Sequence, residues 1–177
     1  MTSEPLVLLV DDREENLLAL EAILEPLGHR LVSVVSGVEA LKQLLLDDFA
    51  CILLDVQMPD LDGFELAELI KGRERSQHIP IIFVTALSKE QRHVYRGYST
   101  GAVDYIFKPI DAGILRSKVS VFVELWQKTR QLQEQAELLH EQEVAALERA
   151  GEERYRQLAD AILPIEEIPA FLYGLCA

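Results

Sequence analysis

Hydrophobic residues along this chain fall into short runs, each ended by a polar residue. Leu6-Val7-Leu8-Leu9-Val10 stops at Asp11-Asp12, and Cys51-Ile52-Leu53-Leu54 stops at Asp55. Ile81-Ile82-Phe83-Val84 stops at Thr85, and Val103 through Phe107 at Lys108-Pro109. Runs of four or five apolar residues predict strands buried on both faces, as in a parallel sheet. A fifth run, Leu31 to Val35, is less uniformly apolar and predicts an edge strand.

Stretches of helical period separate these runs. Leu17, Leu20, Leu24 and Leu27 recur at helical spacing after Asp12, an N-cap candidate with Glu15 three residues on. Gly28 then suits the left-handed residue past a helix end. A second helix is expected over 37–48 with Val38, Leu41, Leu44 and Leu45 inward, and a third from about Phe64 to Lys71, closed by Gly72. Met58-Pro59-Asp60-Leu61-Asp62-Gly63 reads as a loop. A more polar helix is expected from Lys89 to Thr100. Strand–helix alternation of this kind predicts an α/β fold, a doubly wound parallel sheet with right-handed crossovers and helices on both faces.

Beyond Asp111, a fair N-cap, helical signal outruns what one layer of such a domain needs. Phe122, Thr129, Ala136, Glu143 and Ala150 recur every seven residues, as do Leu125, Leu132, Leu139 and Ala146. This is a heptad pattern with a good leucine seam and a mediocre partner seam. A helix from Asp111 to Ala150 would be about 60 Å long at about 1.5 Å per residue and would project from the domain. Three leucines in register on a lone helix are poorly buried, which favours a homodimeric coiled coil over a solvated single helix. The apolar phase shifts near Val144, Leu147, Tyr155, Leu158 and Ile162, predicting that the coil is interrupted near Gly151. The expected organisation is a domain over 1–125, a coiled-coil helix over 126–162, and over 163–177 a short apolar tail or the stump of a further domain.

Charge and composition narrow the partners. A net charge of −13 without a basic cluster argues against direct contact with nucleic acid or an anionic membrane. The start lacks a basic n-region, no apolar stretch reaches membrane-span length, and a hydrophobic fraction of 49% supports a real core, so a cytoplasmic protein is expected. The two cysteines, Cys51 in a predicted strand and Cys176 at the chain end, do not suggest a disulfide.

Ligands of open parallel sheets sit at the carboxyl ends of the strands. There the chain delivers Asp11, Asp12, Asp55, Thr85 and Lys108 to one rim. Clustered carboxylates repel unless a cation intervenes, and an oxygen set of this kind suits magnesium. A carboxylate can also accept a phosphoryl group, with an ammonium and a hydroxyl to hold its oxygens. Taken singly, Asp12 caps a helix, Thr85 is an ordinary strand residue and Lys108 a solvated one. Asp55, placed directly after four apolar residues, needs compensation for its charge. Five residues with matching chemistry at four strand ends favour a site.

Val10-Asp11-Asp12, Leu54-Asp55 with Met58-Pro59 and Gly63, Val84-Thr85-Ala86, and Tyr105-Ile106-Phe107-Lys108-Pro109 together resemble the receiver domain of bacterial two-component response regulators. The resemblance covers about residues 5 to 125, and four separated elements arrive in order. It implies the flavodoxin-like strand order 2-1-3-4-5. It further implies that Asp55 accepts phosphate from a histidine kinase or phosphotransfer protein, with Mg2+ held by Asp11, Asp12, Asp55 and the backbone carbonyl of Gln57. Thr85 and Lys108 would bind the phosphoryl group, Thr85 and Tyr105 would act as switch residues, and Lys108–Pro109 would be cis. Such a domain is not an enzyme beyond its own phosphotransfer and dephosphorylation, and Gln57 and Leu87 are positions that tune phosphate lifetime. Two rivals remain. A pseudo-receiver would only dock and dimerise, and a haloacid-dehalogenase-like phosphatase would want a second acid where Gln57 stands. Residues 152–162 also resemble the lead-in helix of a PAS sensor domain, which would make the chain's end a truncated PAS-like module.

Overall fold

The computed structural model describes residues 4–86 and 104–162. Five parallel strands, β1 (Leu6–Val10), β2 (Arg30–Val34), β3 (Cys51–Asp55), β4 (Ile81–Thr85) and β5 (Asp104–Phe107), form one sheet in the order β2-β1-β3-β4-β5. This is the flavodoxin-like order. Strands β1, β3 and β4 are buried throughout, whereas β2 and β5 are the partly exposed edges. Continuous apolar runs are what two covered faces require, because alternate side chains enter opposite cores. Leu8, Ile52, Leu54, Ile81 and Phe83 pack on one side, and Val7, Leu9, Leu53, Ile82 and Val84 on the other.

Helix α1 (Glu14–Leu24) buries Leu17, Leu20 and Leu24, the periodic leucines. A 3-10 turn over Glu25–Leu27 follows, and Gly28 closes it at φ 68°. The expected cap differs. The N-cap residue is Arg13, which makes no side-chain cap bond, and Asp12 is therefore not the helix cap. Asp11 takes the local role instead, its Oδ1 accepting from the Arg13 amide at 3.0 Å.

Helix α2 (Gly37–Leu46) starts at Ser36, whose hydroxyl accepts from the Glu39 amide at 3.2 Å. Its inner face is Gly37, Ala40 and Leu44, with Leu41 packed at the margin. Val38 and Leu45, expected inward, are exposed. The helix lies close to its neighbours: a Cβ on Gly37 would stand 2.8 Å from Leu61 Cδ2. Close approach selects small residues for the contact, so the largest apolar side chains do not mark the buried face.

Helix α3 (Gly63–Lys71) begins one residue before the expected Phe64, under a capping box of Asp62 and Glu65. Its last turn is tied down by Lys71, whose Nζ donates to the Gln77 and Ile79 carbonyls at 2.9 and 2.7 Å. Burial lowers the Lys71 pKa. The polar helix expected over 89–100, Leu87 and Cys176 lie outside the described residues. So does the 163–177 segment.

Helix α4 (Ala112–Ile162) is a single helix of 51 residues. Asp111 caps it, its Oδ1 accepting from the Ile114 amide at 2.9 Å. The helix runs through Gly151 to Ile162 without a break, so the interruption expected near that glycine concerns the apolar seam and not the helix. A glycine inside a helix costs about 1 kcal/mol relative to alanine, too little to end a long one. The chain divides into two compact units at Thr129/Arg130. In the first, Leu115, Val119 and Val123 of α4 are buried in the core shared with α1. In the second, Leu132, Leu139, Leu147 and Leu158 are all exposed.

Candidate functional site

The carboxyl ends of β1 and β3 lie side by side, because Val10 pairs with Leu54 in the parallel register. Asp11 and Asp55 follow directly, both buried. One carboxylate oxygen from each of Asp11, Asp12 and Asp55 can be chosen so that all three lie within 4.8 Å of one another, and Asp12 is the most open of the three. Among the described residues this is the one cluster of metal-ligating side chains.

Each acid is positioned differently. Asp11 accepts from Asn16 Nδ2 through both oxygens, at 2.8 and 3.0 Å, as well as from the Arg13 amide. Asn16 sits in the first turns of α1, so the helix that β1 leads into fixes the orientation of the acid before it. Asp55 is held by Lys108, whose Nζ lies 3.3 Å from its Oδ1 and 3.7 Å from Asp11 Oδ2. Lys108 follows β5, on the far side of β4 from Asp55. Its amide donates to the Thr85 carbonyl at 2.9 Å, which ties the two strand ends together, and the Lys108–Pro109 peptide is cis.

Burial raises the Asp55 pKa, and the nearby Asp11 charge raises it further. The Lys108 charge and hydrogen bond and the Gln57 backbone act in the opposite direction. Burial prevails, so one ammonium incompletely compensates two buried carboxylates and a third at the rim. The donor set is all oxygen and anionic, which is what Mg2+ takes. Asp11, Asp12 and Asp55 thus fit that ion, with the Gln57 backbone adjacent.

Thr85 ends β4, buried, opposite Phe107 in the ladder. Tyr105 lies two residues before Phe107, its ring stacked on Phe83 with centroids 5.4 Å apart. Phe83 in turn meets Phe64 of α3 at 4.8 Å. An aromatic row therefore runs from β5 across β4 to the helix that follows the Asp55 loop. That loop passes very near the acid: a Cβ on Gly63 would stand 2.3 Å from the Asp55 carbonyl oxygen, and the Gly63 amide donates to the Val56 carbonyl at 3.0 Å. Only glycine permits this approach.

Among the described residues, Asp11, Asp12, Asp55, Thr85 and Lys108 stand at the rim as expected, with Tyr105 two residues back along β5. One contributor carried no signal of its own. Asn16 is a polar residue in an amphipathic helix, and nothing in the spacing singles it out. Gly63 was legible as a turn residue, yet its contact with the Asp55 backbone depends on how α3 folds back.

The family described as response regulator receiver domain matches residues 7–120, more than half of the chain. The chain belongs to that receiver family. A receiver domain of a signal-transduction histidine kinase from Syntrophus aciditrophicus is 35% identical, with a TM-score of 0.61 over 68% of this chain and 90% of that one. The receiver of a Pseudomonas aeruginosa sensor histidine kinase, with a magnesium ion coordinated in its active-site cleft, is 28% identical at a TM-score of 0.61, over 69% and 99% of the two chains. Among curated proteins, a probable cyclic di-GMP phosphodiesterase of Vibrio cholerae is 33% identical over 150 residues, 85% of this chain and 33% of that protein. A match of 150 residues cannot fit inside 7–120, so the likeness to that protein reaches into α4. Response regulator PleD of Caulobacter vibrioides is 36% identical over 113 residues, 64% of this chain and 25% of that protein. The receiver chain thus spans a third or less of these two relatives.

Proposed function

We propose that this receiver accepts a phosphoryl group on Asp55 from a histidine kinase or phosphotransfer protein, and that the long helix α4 joins two copies and carries the state onward. The observation that carries the reading is Asp55 itself. It is 4% exposed, shares Lys108 with Asp11, and has Asp12 beside it. A buried acid whose charge is undercompensated is tolerated where a cation and a phosphoryl group complete the balance.

An Asp55 carboxylate oxygen attacks phosphorus, the P–N bond of the donor phosphohistidine breaks, and the imidazole leaves with its electron pair. The product is an aspartyl phosphate. Mg2+ bound by Asp11, Asp12, Asp55 and the Gln57 carbonyl would neutralise charge on the transferring group. Lys108, already at bonding distance from Asp55, meets a phosphoryl oxygen in the same place. The Thr85 hydroxyl donates to another. Drawing Thr85 toward the phosphoryl group alters the space beside Phe83 on which Tyr105 stacks, and Tyr105 is the residue that then changes rotamer. The chain is a phosphoacceptor, not a turnover enzyme, and works in the cytoplasm. Units 1–125 and 126–162 divide reception from relay.

The test is direct. Incubation with acetyl phosphate and magnesium should add one phosphate by intact mass, acid-stable and base-labile, and Asp55→Asn should add none. A variant that still gains a phosphate would remove Asp55 as acceptor. A wild-type chain that gains none would favour a receiver that only docks.

A further inference from the structure

The second unit of α4 is continuous and exposed, yet its apolar residues keep two different periods. Leu132 and Leu139 are seven apart, with Ala136 between them at the companion seam position. Continuing that heptad would call for apolar residues at Glu143, Ala146, Ala150 and Glu153, and two of these four are acids while the other two are only alanines. The apolar side chains stand elsewhere. Val144, Leu147 and Gly151 repeat eleven residues later as Tyr155, Leu158 and Ile162. Leu147 and Tyr155, at 73% and 77%, are among the most exposed apolar residues described. A seven-residue repeat holds 3.5 residues per turn and favours left-handed winding, whereas eleven residues in three turns is 3.67 and favours right-handed winding.

Both segments suit a second copy of this chain, despite its net charge of −13. In the heptad frame the positions flanking the seam are Gln133, Gln135, His140 and Gln142, and the acids Glu134, Glu137 and Glu141 lie on the outer face. Two such helices meet in parallel without acid facing acid until Glu143. Across 144–162 the flanks carry both signs, Arg149, Arg154 and Arg156 against Glu148, Glu152 and Glu153. Leu139 to Leu147 is eight residues, one beyond a heptad, so the apolar face steps around the helix by about 80° between them.

Building on the homodimer reading, we infer that two copies pair in parallel and in register through two successive windings. The first is a left-handed heptad segment ending at Leu139. The second is an eleven-residue segment from Val144 to Ile162, with the change at His140–Glu143. The seam passes from Leu132 and Leu139 to Val144, Leu147, Tyr155 and Leu158. The junction, bearing the facing Glu143 pair, is the least committed part of the coil. A twist entering from the receivers is accommodated there rather than distributed along the helix.

Disulfide trapping in the full chain tests this, with Cys176→Ser as background and Cys51 buried. Single cysteines would replace Leu139, Ala146, Leu147, Glu153 and Leu158, and light scattering would give each variant's mass before mild oxidation. The inference expects dimers and cross-linking severalfold faster at 139, 147 and 158 than at 146 and 153. Fast trapping at 139, 146 and 153 would mean one uninterrupted heptad coil and would overturn the two windings. A dimer trapped at none of the five would overturn the parallel register while leaving dimerisation standing. A monomeric parent would end the homodimer reading itself. A deletion of Gln142, which brings Leu147 into heptad phase with Leu139, should shift the dimer to tighter association.

Discussion

Asp55 illustrates how one residue can be costly to the fold and, on the proposed function, necessary to it. Its carboxyl pKa is raised first by burial and then by Asp11, so the folded chain binds that proton more tightly than the unfolded chain. Between the unfolded and folded pKa values, stability therefore falls as pH rises, and above both the fold carries the whole cost. Asp55→Asn should accordingly melt above the parent in metal-free buffer at neutral pH, with the advantage shrinking on acidification through the raised Asp55 pKa and gone below the unfolded value of about 4. Thermal melts at neutral and acid pH check this, and an Asn variant that melts lower at neutral pH would mean Lys108 compensates Asp55 in full. Asp12 makes a second case. It caps no helix, so Asp12→Asn and Asp12→Ala should both raise stability without magnesium and weaken magnesium binding. A cap would lose about 1 kcal/mol on going to alanine. Loss of stability in both buffers with unchanged metal affinity would restore the capping role.

At the scale of elements, close approach decides what hydrophobicity alone does not. Gly63→Ala puts a methyl against the Asp55 and Val56 backbone, at 2.3 and 2.8 Å, and backbone cannot swing aside. It should destabilise the receiver by about 1–3 kcal/mol, the range for overpacking, and slow phosphoryl uptake by displacing Asp55. Denaturant melts and the rate of mass gain read the two effects, and a neutral change in both would show that the loop relaxes freely. On α2 the converse holds. Val38→Lys with Leu45→Lys should change stability by no more than about 0.5 kcal/mol, as surface substitutions do. Ala40→Leu, inside the core, should cost about 1–3 kcal/mol. The strands were legible in the sequence because burial on both faces leaves an unbroken apolar signature. So were the rim residues, since a polar residue ending such a strand has one place to be. The inner face of α2 was legible only in part: Leu41 and Leu44 lie on it as expected, but Gly37 and Ala40, which contribute little hydrophobicity, complete it in place of Val38 and Leu45. Asn16 escaped for a similar reason, its role depending on the Asp11 carboxylate that strand β1 brings to it.

For the whole molecule the open question is what a receiver with a long helix does with its phosphoryl group. Leu125, Leu132 and Leu139 are each well over half exposed on α4. Burying a leucine fully is worth about 1.5–3 kcal/mol before association costs, so pairing removes a substantial penalty. The companion seam, with Thr129, Ala136 and Glu143, adds little, and the coil is expected to be of modest strength. That weakness is useful, since a change of about 1–3 kcal/mol at the receivers, the usual size of coupling between sites, can then shift the helix pair. Leu132→Ser with Leu139→Ser should leave phosphoryl uptake at Asp55 unchanged and lower the molar mass from dimer to monomer across a dilution series by light scattering. The same series on phosphorylated and unphosphorylated parent should show different midpoints of dissociation. A double variant as dimeric as the parent would place the contact outside the leucine seam, and equal midpoints would uncouple the helix from the phosphoryl group.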